Sequence, residues 1–446
     1  MKKYDSYKDS GIEWMGEIPS HWYNSKIKYL SKEPGSLFID GDWIESKVII
    51  EEGIRYITTG NIKVGYYSEQ GSGFISEETF INLNCTEVFE GDLVISRLNN
   101  PIGRACIIPN LNSRIVTSVD NVIFRPDSNV NKYYLLYLFS SKEYFEITDL
   151  ISRGATMQRI SRGLYGNIKI PLPPIEEQNT IANYLFHKTT QIDHLITKKE
   201  QFIQLLEEER VAVINQAVTK GLDTSVPMKD SGIEWLGEIP EHWEVILFKR
   251  VISKIKDGTH GTFQRLSEGY PFLSAKNVYD DGLKISETES LISENDYLDI
   301  TKNGFPKRND LLITCVGTIG RTFVYDLDEP FAFQRSVTFI RFIENINPHY
   351  YKFYVQSSIY QNLLISLAKT SAQSGIYMND LMNTYALKTP LNEQNSIVEF
   401  LKIKTYEIDK IVLKAQQEIE LLKEYKSALI SEVVSGKVDV SNEKLS

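Results

Sequence analysis

Apolar residues recur every seven positions in two stretches of the chain. Between Pro171 and Gly221 the series is Leu185, Ile192, Leu206 and Val213, with Leu195, Ile196, Phe202 and Ile203 in between. Between Thr389 and Gly436 it is Leu401, Ile408, Leu422 and Leu429, with Ile411, Val412 and Ile419, and Lys199 and Ala415 interrupt the two series. A seven-residue apolar spacing is the pattern of a coiled-coil helix. Pro174 and Pro390 stand where a helix's first turn tolerates a missing N–H, acidic residues follow at the positive end of the dipole, and Gly221 and Gly436 are expected stops. A helix of about 40 residues is roughly 60 Å long, too long to be enclosed by a small domain. The economical arrangement is two helices packed on each other, with an exposed protein-binding stalk as the alternative.

Outside these stretches the pattern changes to short alternating runs broken by Gly, Pro and Asn. YITTGNIKVGYYS (from Tyr56), GDLVISRLNNPIGRACII (from Gly91) and IVTSVDNVIFRP (from Ile115) read as strands and turns. YPFLSAKNVYDDGLKIS (from Tyr270), NDLLITCVGTIGRTFVY (from Asn309) and FAFQRSVTFIRF (from Phe331) repeat the order, and a Tyr-rich helical segment follows each set, from Asn131 and from Asn347. A polar loop then leads into the long helix in each half, SRGATMQRISR from Ser152 and KTSAQSGIYMND from Lys369.

The whole chain is therefore an internal repeat. KDSGIEWMGEIPSHW (from Lys8) and KDSGIEWLGEIPEHW (from Lys229) agree at 13 of 15 positions. Nine residues at each helix entrance coincide at a shift of 216, from Glu177, Gln178 and Asn179 (matching Glu393, Gln394 and Asn395) to Asp193 (matching Asp409). The predicted fold class is α+β: two α/β blocks in pseudo-two-fold repeat, joined by two long antiparallel coiled-coil helices. The boundaries are 1–170 for the first block with its motif, 171–222 for the first helix, 223–388 for the second block with its motif, 389–440 for the second helix and 441–446 for a tail. The duplicated parts stay alike while the blocks diverge, which suggests one scaffold carrying two different specificities.

The chain has 446 residues, enough for two or three domains, and three scattered cysteines, which suit a reducing compartment. No apolar run approaches the length of a membrane span and the N-terminus lacks a signal-peptide core, so the expected location is cytoplasmic. The net charge of −10 argues at first sight against nucleic acid. Its distribution weakens that objection. Residues 23–170 carry 16 Lys+Arg against 17 Asp+Glu, residues 244–388 carry 16 against 16, and the acidity lies in the connecting and helical parts.

Catalytic signals are few. GTIGR (Gly317–Arg321) lacks the Lys-Ser/Thr of a phosphate-binding loop, and strand-like sequence flanks it on both sides. There is no Asn/Asp-Pro-Pro-aromatic stretch of adenine methyltransferases, no H-E-x-x-H, no Cys/His cluster and no G-x-S-x-G. His21 and His242 have no nucleophile or metal ligand near them in sequence. The Trp pairs of the repeated motif (Trp14 and Trp22, Trp235 and Trp243) are expected to clamp it by packing.

The doubled KDSGIEW(M/L)GEIP.HW motif, the P-x-x-EQ entrance to each long helix and the two unlike blocks resemble the specificity subunit of type I restriction–modification enzymes, over essentially the whole chain. The resemblance implies a non-catalytic subunit whose blocks are target-recognition domains, each reading half of a bipartite, asymmetric site in double-stranded DNA. It implies that the helices act as a ruler and dock two modification (methyltransferase) subunits, with restriction (motor and nuclease) subunits joining them. S-adenosylmethionine, ATP and Mg would then sit on those partners, and this chain would hold no cofactor and no metal. The partner-binding candidates are Glu177, Gln178, Ile181 and Leu185, and Glu393, Gln394, Ile397 and Leu401.

Reading bases requires Arg, Asn and Gln for paired hydrogen bonds in the major groove, and Lys, Ser and Thr for phosphates. In the first block the candidates are Thr59, Asn61 and Lys63, then Arg97, Asn99 and Arg104, then Gln158 and Arg159. In the second they are Ser274, Lys276 and Asn277, then Thr314, Thr318 and Arg321, then Gln334, Arg335, Gln373 and Ser374. Two alternatives stand beside this reading: a self-sufficient two-module methyltransferase or nuclease, and a coiled-coil scaffold whose blocks bind protein.

Overall fold

A computed structural model describes residues 2–71, 73–98, 101–154, 158–302, 304–368 and 375–443. The candidates Asn99, Gln373 and Ser374 lie outside them. The chain divides into two compact units, Met1–Lys199 with Gln416–Ser446, and Glu200–Ala415. The division falls inside both long helices, α1 (Ile175–Lys220) and α2 (Leu391–Val434), and not at their ends. It falls at Lys199 and Ala415, the two positions that interrupt the apolar series.

In the first unit a four-stranded antiparallel sheet has the order β1 (Leu37–Asp40), β6 (Asn121–Arg125), β3 (Leu93–Ser96), β4 (Ala105–Ile107). Beside it β2 (Ile54–Ile57) runs parallel to β5 (Ile115–Thr117). The second unit repeats this topology, with β7 (Ile252–Asp257), β12 (Val337–Phe342), β9 (Leu311–Thr314) and β10 (Thr322–Val324) in the sheet. There β8 (Tyr270–Leu273) runs parallel to β11 (Ala332–Phe333). Central strands such as β3 and β9 are buried along their whole length, as their continuous Leu/Val/Ile runs require. The Tyr-rich segments are helices, Lys132–Leu138 and Pro348–Gln356, capped by the side chains of Asn131 and Asn347.

Each core joins a block to pieces of both long helices. In the first unit Ile12, Trp22 and Tyr134 pack with Ile181 and Leu185 of α1 and with Leu429 and Val433 of α2. In the second, Trp243 and Tyr350 pack with Ile397 and Leu401 of α2 and with Ile214 and Val218 of α1. Gly221 and Gly436 end the helices in the left-handed conformation, both at φ +75. A Cβ at Gly436 would lie 2.4 Å from Pro19, so the repeated motif closes directly over the helix end.

Positions 185, 189, 192, 196, 199, 203, 206, 210, 213 and 217 of α1 are all buried or half-buried, and so are their equivalents from 401 to 433 in α2. The alternating steps of four and three residues are a heptad seam. Lys199 and Ala415 therefore occupy seam positions. Leu195, Phe202 and Ile411, which the sequence suggested as filling residues, stand off the seam, 49%, 47% and 44% exposed. Ion pairs set antiparallel register in each unit. Lys426 meets Asp193 at 2.7 Å in the first, and the equivalent Arg210 meets Asp409 at 3.4 Å in the second. No helix among the described residues is long and apolar enough to cross a membrane.

Candidate nucleic-acid interface

The predicted contact turns converge on one face of each block. In the first, the Ile160 N–H donates to the Arg97 carbonyl (3.1 Å), the Arg97 N–H to Asp120 O (2.8 Å), and the Asp42 N–H to Thr117 O (2.8 Å). In the second, the Ile376 N–H donates to Cys315 O (2.8 Å), the Cys315 N–H to Ser336 O (2.8 Å), and the Gln334 N–H to Leu273 O (2.8 Å). These bonds tie loops far apart in sequence into a single surface.

Within that surface the candidates divide by burial. Asn61 is fully buried, accepting from the Thr58 N–H (2.9 Å) and donating to Ser68 O (3.2 Å). Asn277 repeats this, accepting from the Ser274 N–H (2.9 Å) and donating to Lys284 O (3.0 Å). Both are turn staples whose polar atoms are used inside the protein. Arg104 is buried and donates to Ile62 O (2.7 Å), Thr59 O (2.8 Å) and Leu98 O (3.0 Å), clamping two turns together. Arg97 is buried, donates to Ile160 O (3.0 Å) and pairs with Asp40 (2.9 Å). Burial pushes both guanidinium groups down from their ordinary value. The fully buried Thr314 hydroxyl accepts from the Arg321 N–H (3.0 Å). The structure thus places these five inside the scaffold, where a buried polar group must be hydrogen-bonded, and not on its surface.

Thr59, Lys63, Gln158 and Arg159 face outward in the first block, and Ser274, Lys276, Thr318, Arg321, Gln334 and Arg335 in the second, each half-buried or exposed. Arg159 is braced by Asp120 at 2.8 Å, Arg321 lies over the Tyr279 ring (4.6 Å to its centre), and Lys276 pairs with Glu289 at 2.8 Å. Sequence reasoning missed three side chains on the first face, Asp40, Asp120 and Arg162, which pair with or lie beside Arg97 and Arg159. A signal for the first of these existed. Asp40-Gly41 and Asp257-Gly258 stand at equivalent strand ends, and a Cβ on Gly41 or Gly258 would lie 2.4 or 2.2 Å from the facing carbonyl.

The predicted partner-binding residues turn inward as well. Gln178, Ile181, Leu185, Gln394, Ile397 and Leu401 are buried, because the helix entrance is where the repeated motif docks. Gln178 accepts from the Asn131 N–H (2.8 Å) and Gln394 from the Asn347 N–H (2.9 Å). Glu177 accepts from Trp22 Nε1 (3.0 Å) and Tyr4 Oη (2.6 Å), and its other oxygen lies 2.7 Å from His21 Nε2. Glu393 accepts from Trp243 Nε1 (3.0 Å) and lies 2.8 Å from His242 Nε2. The motif histidines are thereby accounted for as packing partners. The described residues contain no group of three or more His, Cys, Asp or Glu arranged to hold a metal ion.

Two such faces, alike in scaffold and unlike in side chains, define a two-headed recognition protein. Residues 29–205 and 240–422 match the family described as type I restriction modification DNA specificity domain. The chain belongs to that family and is a type I restriction–modification specificity subunit, a DNA sequence-recognition chain. It is 26% identical to the type I restriction enzyme MjaVIII specificity subunit of Methanocaldococcus jannaschii, over 98% of both chains. Its fold is similar to that of a solved type I restriction–modification chain (TM-score 0.67, 16% identity, 94% of this chain and 99% of that one). It is also similar to that of the HsdS subunit from Thermoanaerobacter tengcongensis (TM-score 0.55, 15% identity, 94% and 98%).

Proposed function

We propose that the two blocks read the two halves of a bipartite, asymmetric double-stranded DNA site, that the paired helices set the unread spacer, and that the chain catalyses nothing itself. Partner subunits carry out adenine-N6 methylation and restriction, and they bind S-adenosylmethionine, ATP and Mg. The observation that carries this reading is the convergence of outward Arg, Lys and Gln side chains on equivalent faces of two blocks with the same topology. Direct readout needs such side chains held in place at base edges, and the buried staples Asn61, Arg104 and Asn277 hold these loops.

Two modification subunits dock on the long helices, away from the buried entrance residues. Leu195 and Leu421 are exposed in the first unit, and their sequence equivalents Ile411 and Leu205 are exposed in the second. One equivalent apolar pair per unit suits two copies of the same partner. Co-expression with the modification subunit, followed by mapping of N6-methyladenine in the host DNA, tests the proposal. It predicts one bipartite motif, and no methyl transfer by the isolated chain.

A further inference from the structure

Asp40 and Asp257 are structural equivalents that the two blocks treat differently. Each ends the edge strand of its four-stranded sheet, each faces the same partner strand (Val122 and Thr338 are the flanking pairs), and each precedes a glycine that no larger residue could replace. In the first block Asp40 is neutralised within the chain, by Arg97 Nη2 at 2.9 Å and Arg162 Nε at 3.3 Å. In the second block the residue after β9 is Cys315 where Arg97 follows β3. The first residue of the short helix Met378–Met382 is Met378, where Arg162 begins Arg162–Gly166. Both arginines are absent and the carboxylate remains, with His260 beside it and Lys256 on the same cavity wall. Among the described residues only the Thr338 hydroxyl is seen to donate to it, at 2.5 Å.

A cavity of about 350 Å³ lies beside Asp257, and Phe305, Phe331, Phe333, Phe339 and Met378 are among the residues that line it, together with polar and basic side chains. The first-block equivalents of Phe331, Phe333 and Phe339 are Ile115, Thr117 and Ile123, so the aromatic walls belong to the second block alone. The volume is that of a small-ligand site. Flat aromatic walls take a flat ring, and a carboxylate among them accepts from N–H donors set side by side. Arg97 and Arg162 show in the first block the kind of donor this position takes. The N1–H and 2-amino edge of guanine presents the same paired donors on a neutral ring that the phenyl walls can cover. The neighbouring Thr259 carbonyl accepts from the Arg335 N–H (3.0 Å), which joins the cavity to the candidate DNA face.

We propose that this cavity is a nucleobase pocket of guanine type, with Asp257 as the acceptor and the phenylalanines as the stacking walls. The base comes either from a free guanine nucleoside or from a guanine unstacked out of the bound DNA. Enzymes that extrude a base read it by edge hydrogen bonds and stacking of this kind. The DNA source rests on the recognition function proposed above, and the nucleoside source does not.

The test uses the full chain and two substitutions, Asp257→Asn and Met378→Arg. The second returns to the pocket the cation found in the first block. Melting curves confirm that both variants fold. In the first arm guanosine and adenosine are titrated calorimetrically. In the second, the complex with modification subunits binds duplex carrying 6-methylisoxanthopterin, a fluorescent guanine analogue with an intact N1–H and amino edge, at each guanine of its methylation site in turn. The pocket predicts guanosine binding about tenfold or more tighter than adenosine and lost in both variants, or a fluorescence rise at one guanine that Met378→Arg abolishes. The first result assigns the free nucleoside, and the second assigns the DNA base. Neither signal, or signals unchanged by both substitutions, overturns the proposal, as does binding of arginine methyl ester without discrimination between the nucleosides. Site-specific methylation by the same variants is read in parallel. If it persists while the pocket signals fail, the pocket falls and the recognition function stands.

Discussion

The indole Nε1 of Trp22 donates to the carboxylate of Glu177 at 3.0 Å, fastening the repeated motif to the first turn of the long helix. Trp243 and Glu393 make the same bond at 3.0 Å. Both tryptophans are fully buried, so each indole N–H depends on that single acceptor. The two joints differ in one respect. Tyr4 also donates to Glu177, whereas the position equivalent to Tyr4 by the motif register is Ser225, and the Glu393 side chain is 34% exposed against 15% for Glu177.

Removing either carboxylate is therefore costly, and more so in the first unit. Glu177→Ala and Glu393→Ala should each lower stability by about 1–3 kcal/mol, the cost of leaving a buried donor unpaired. Glu177→Ala should cost more, because it also strands Tyr4. Urea unfolding followed by tryptophan fluorescence measures both. Equal, negligible effects would show that the motif is held by apolar packing alone.

The seam pairs Lys426–Asp193 and Arg210–Asp409 are partly exposed and should contribute modestly. Double-mutant cycles are expected to give couplings of about 0.2–1 kcal/mol for each, shrinking as salt is raised. Couplings that persist in high salt would mean that the pairs are more shielded from water than their side-chain exposures indicate.

His349 gives the second unit an acid sensitivity that begins near neutral pH. Burial, with help from Lys402 and Lys352, pushes its imidazole down to about 4. The unfolded chain binds that proton near pH 6.5 and the folded chain only near 4. The folded state is thus at full strength above about pH 6.5 and loses stability as pH falls through this window. Tyr133 stands at the equivalent position of the first unit. The urea midpoint of the second unit should fall between pH 7 and pH 5, and His349→Gln should flatten the fall. An unchanged slope in that variant would assign the pH response to another group.

Substitutions within the candidate interface should separate by burial. Asn61→Ala or Asn277→Ala should reduce stability by about 1–3 kcal/mol by emptying a turn of its internal hydrogen bonds. Arg159→Ala should leave stability nearly unchanged and relax one base of the first half-site, by about 1–3 kcal/mol of discrimination. Asp120→Ala should produce a weaker form of the same relaxation, because Asp120 braces Arg159. Melting curves and methylation maps together score all four. Loss of stability in Arg159→Ala without a change of motif would remove it from the reading set.

Much of the architecture was legible in the sequence, since repeats and heptads are local patterns. The seam residues Leu185, Ile192, Leu401 and Ile408 are buried as their spacing predicted, and Gly221 and Gly436 stop the helices where expected. The direction of turn side chains was not legible. Whether Arg104 reaches solvent or Ile62 O is decided by a turn some 40 residues away in the chain, and a polar residue in a turn looks the same in sequence either way. The helix entrance misled for a related reason. Ile181 and Leu185 looked like a partner-binding face, but the motif that covers them lies more than 150 positions earlier. Phe202 was misplaced by one heptad position, because a run of adjacent apolar residues does not show which one faces the seam.

The most direct test of the two-headed account is a block exchange. Residues 23–170 are replaced by the corresponding block of another specificity subunit, the hybrid is co-expressed with the modification subunit, and N6-methyladenine is mapped across the genome. The account predicts a new bipartite motif in which one half changes while the other half and the spacer length are retained. A hybrid that alters both halves, or that methylates the original motif unchanged, would contradict it.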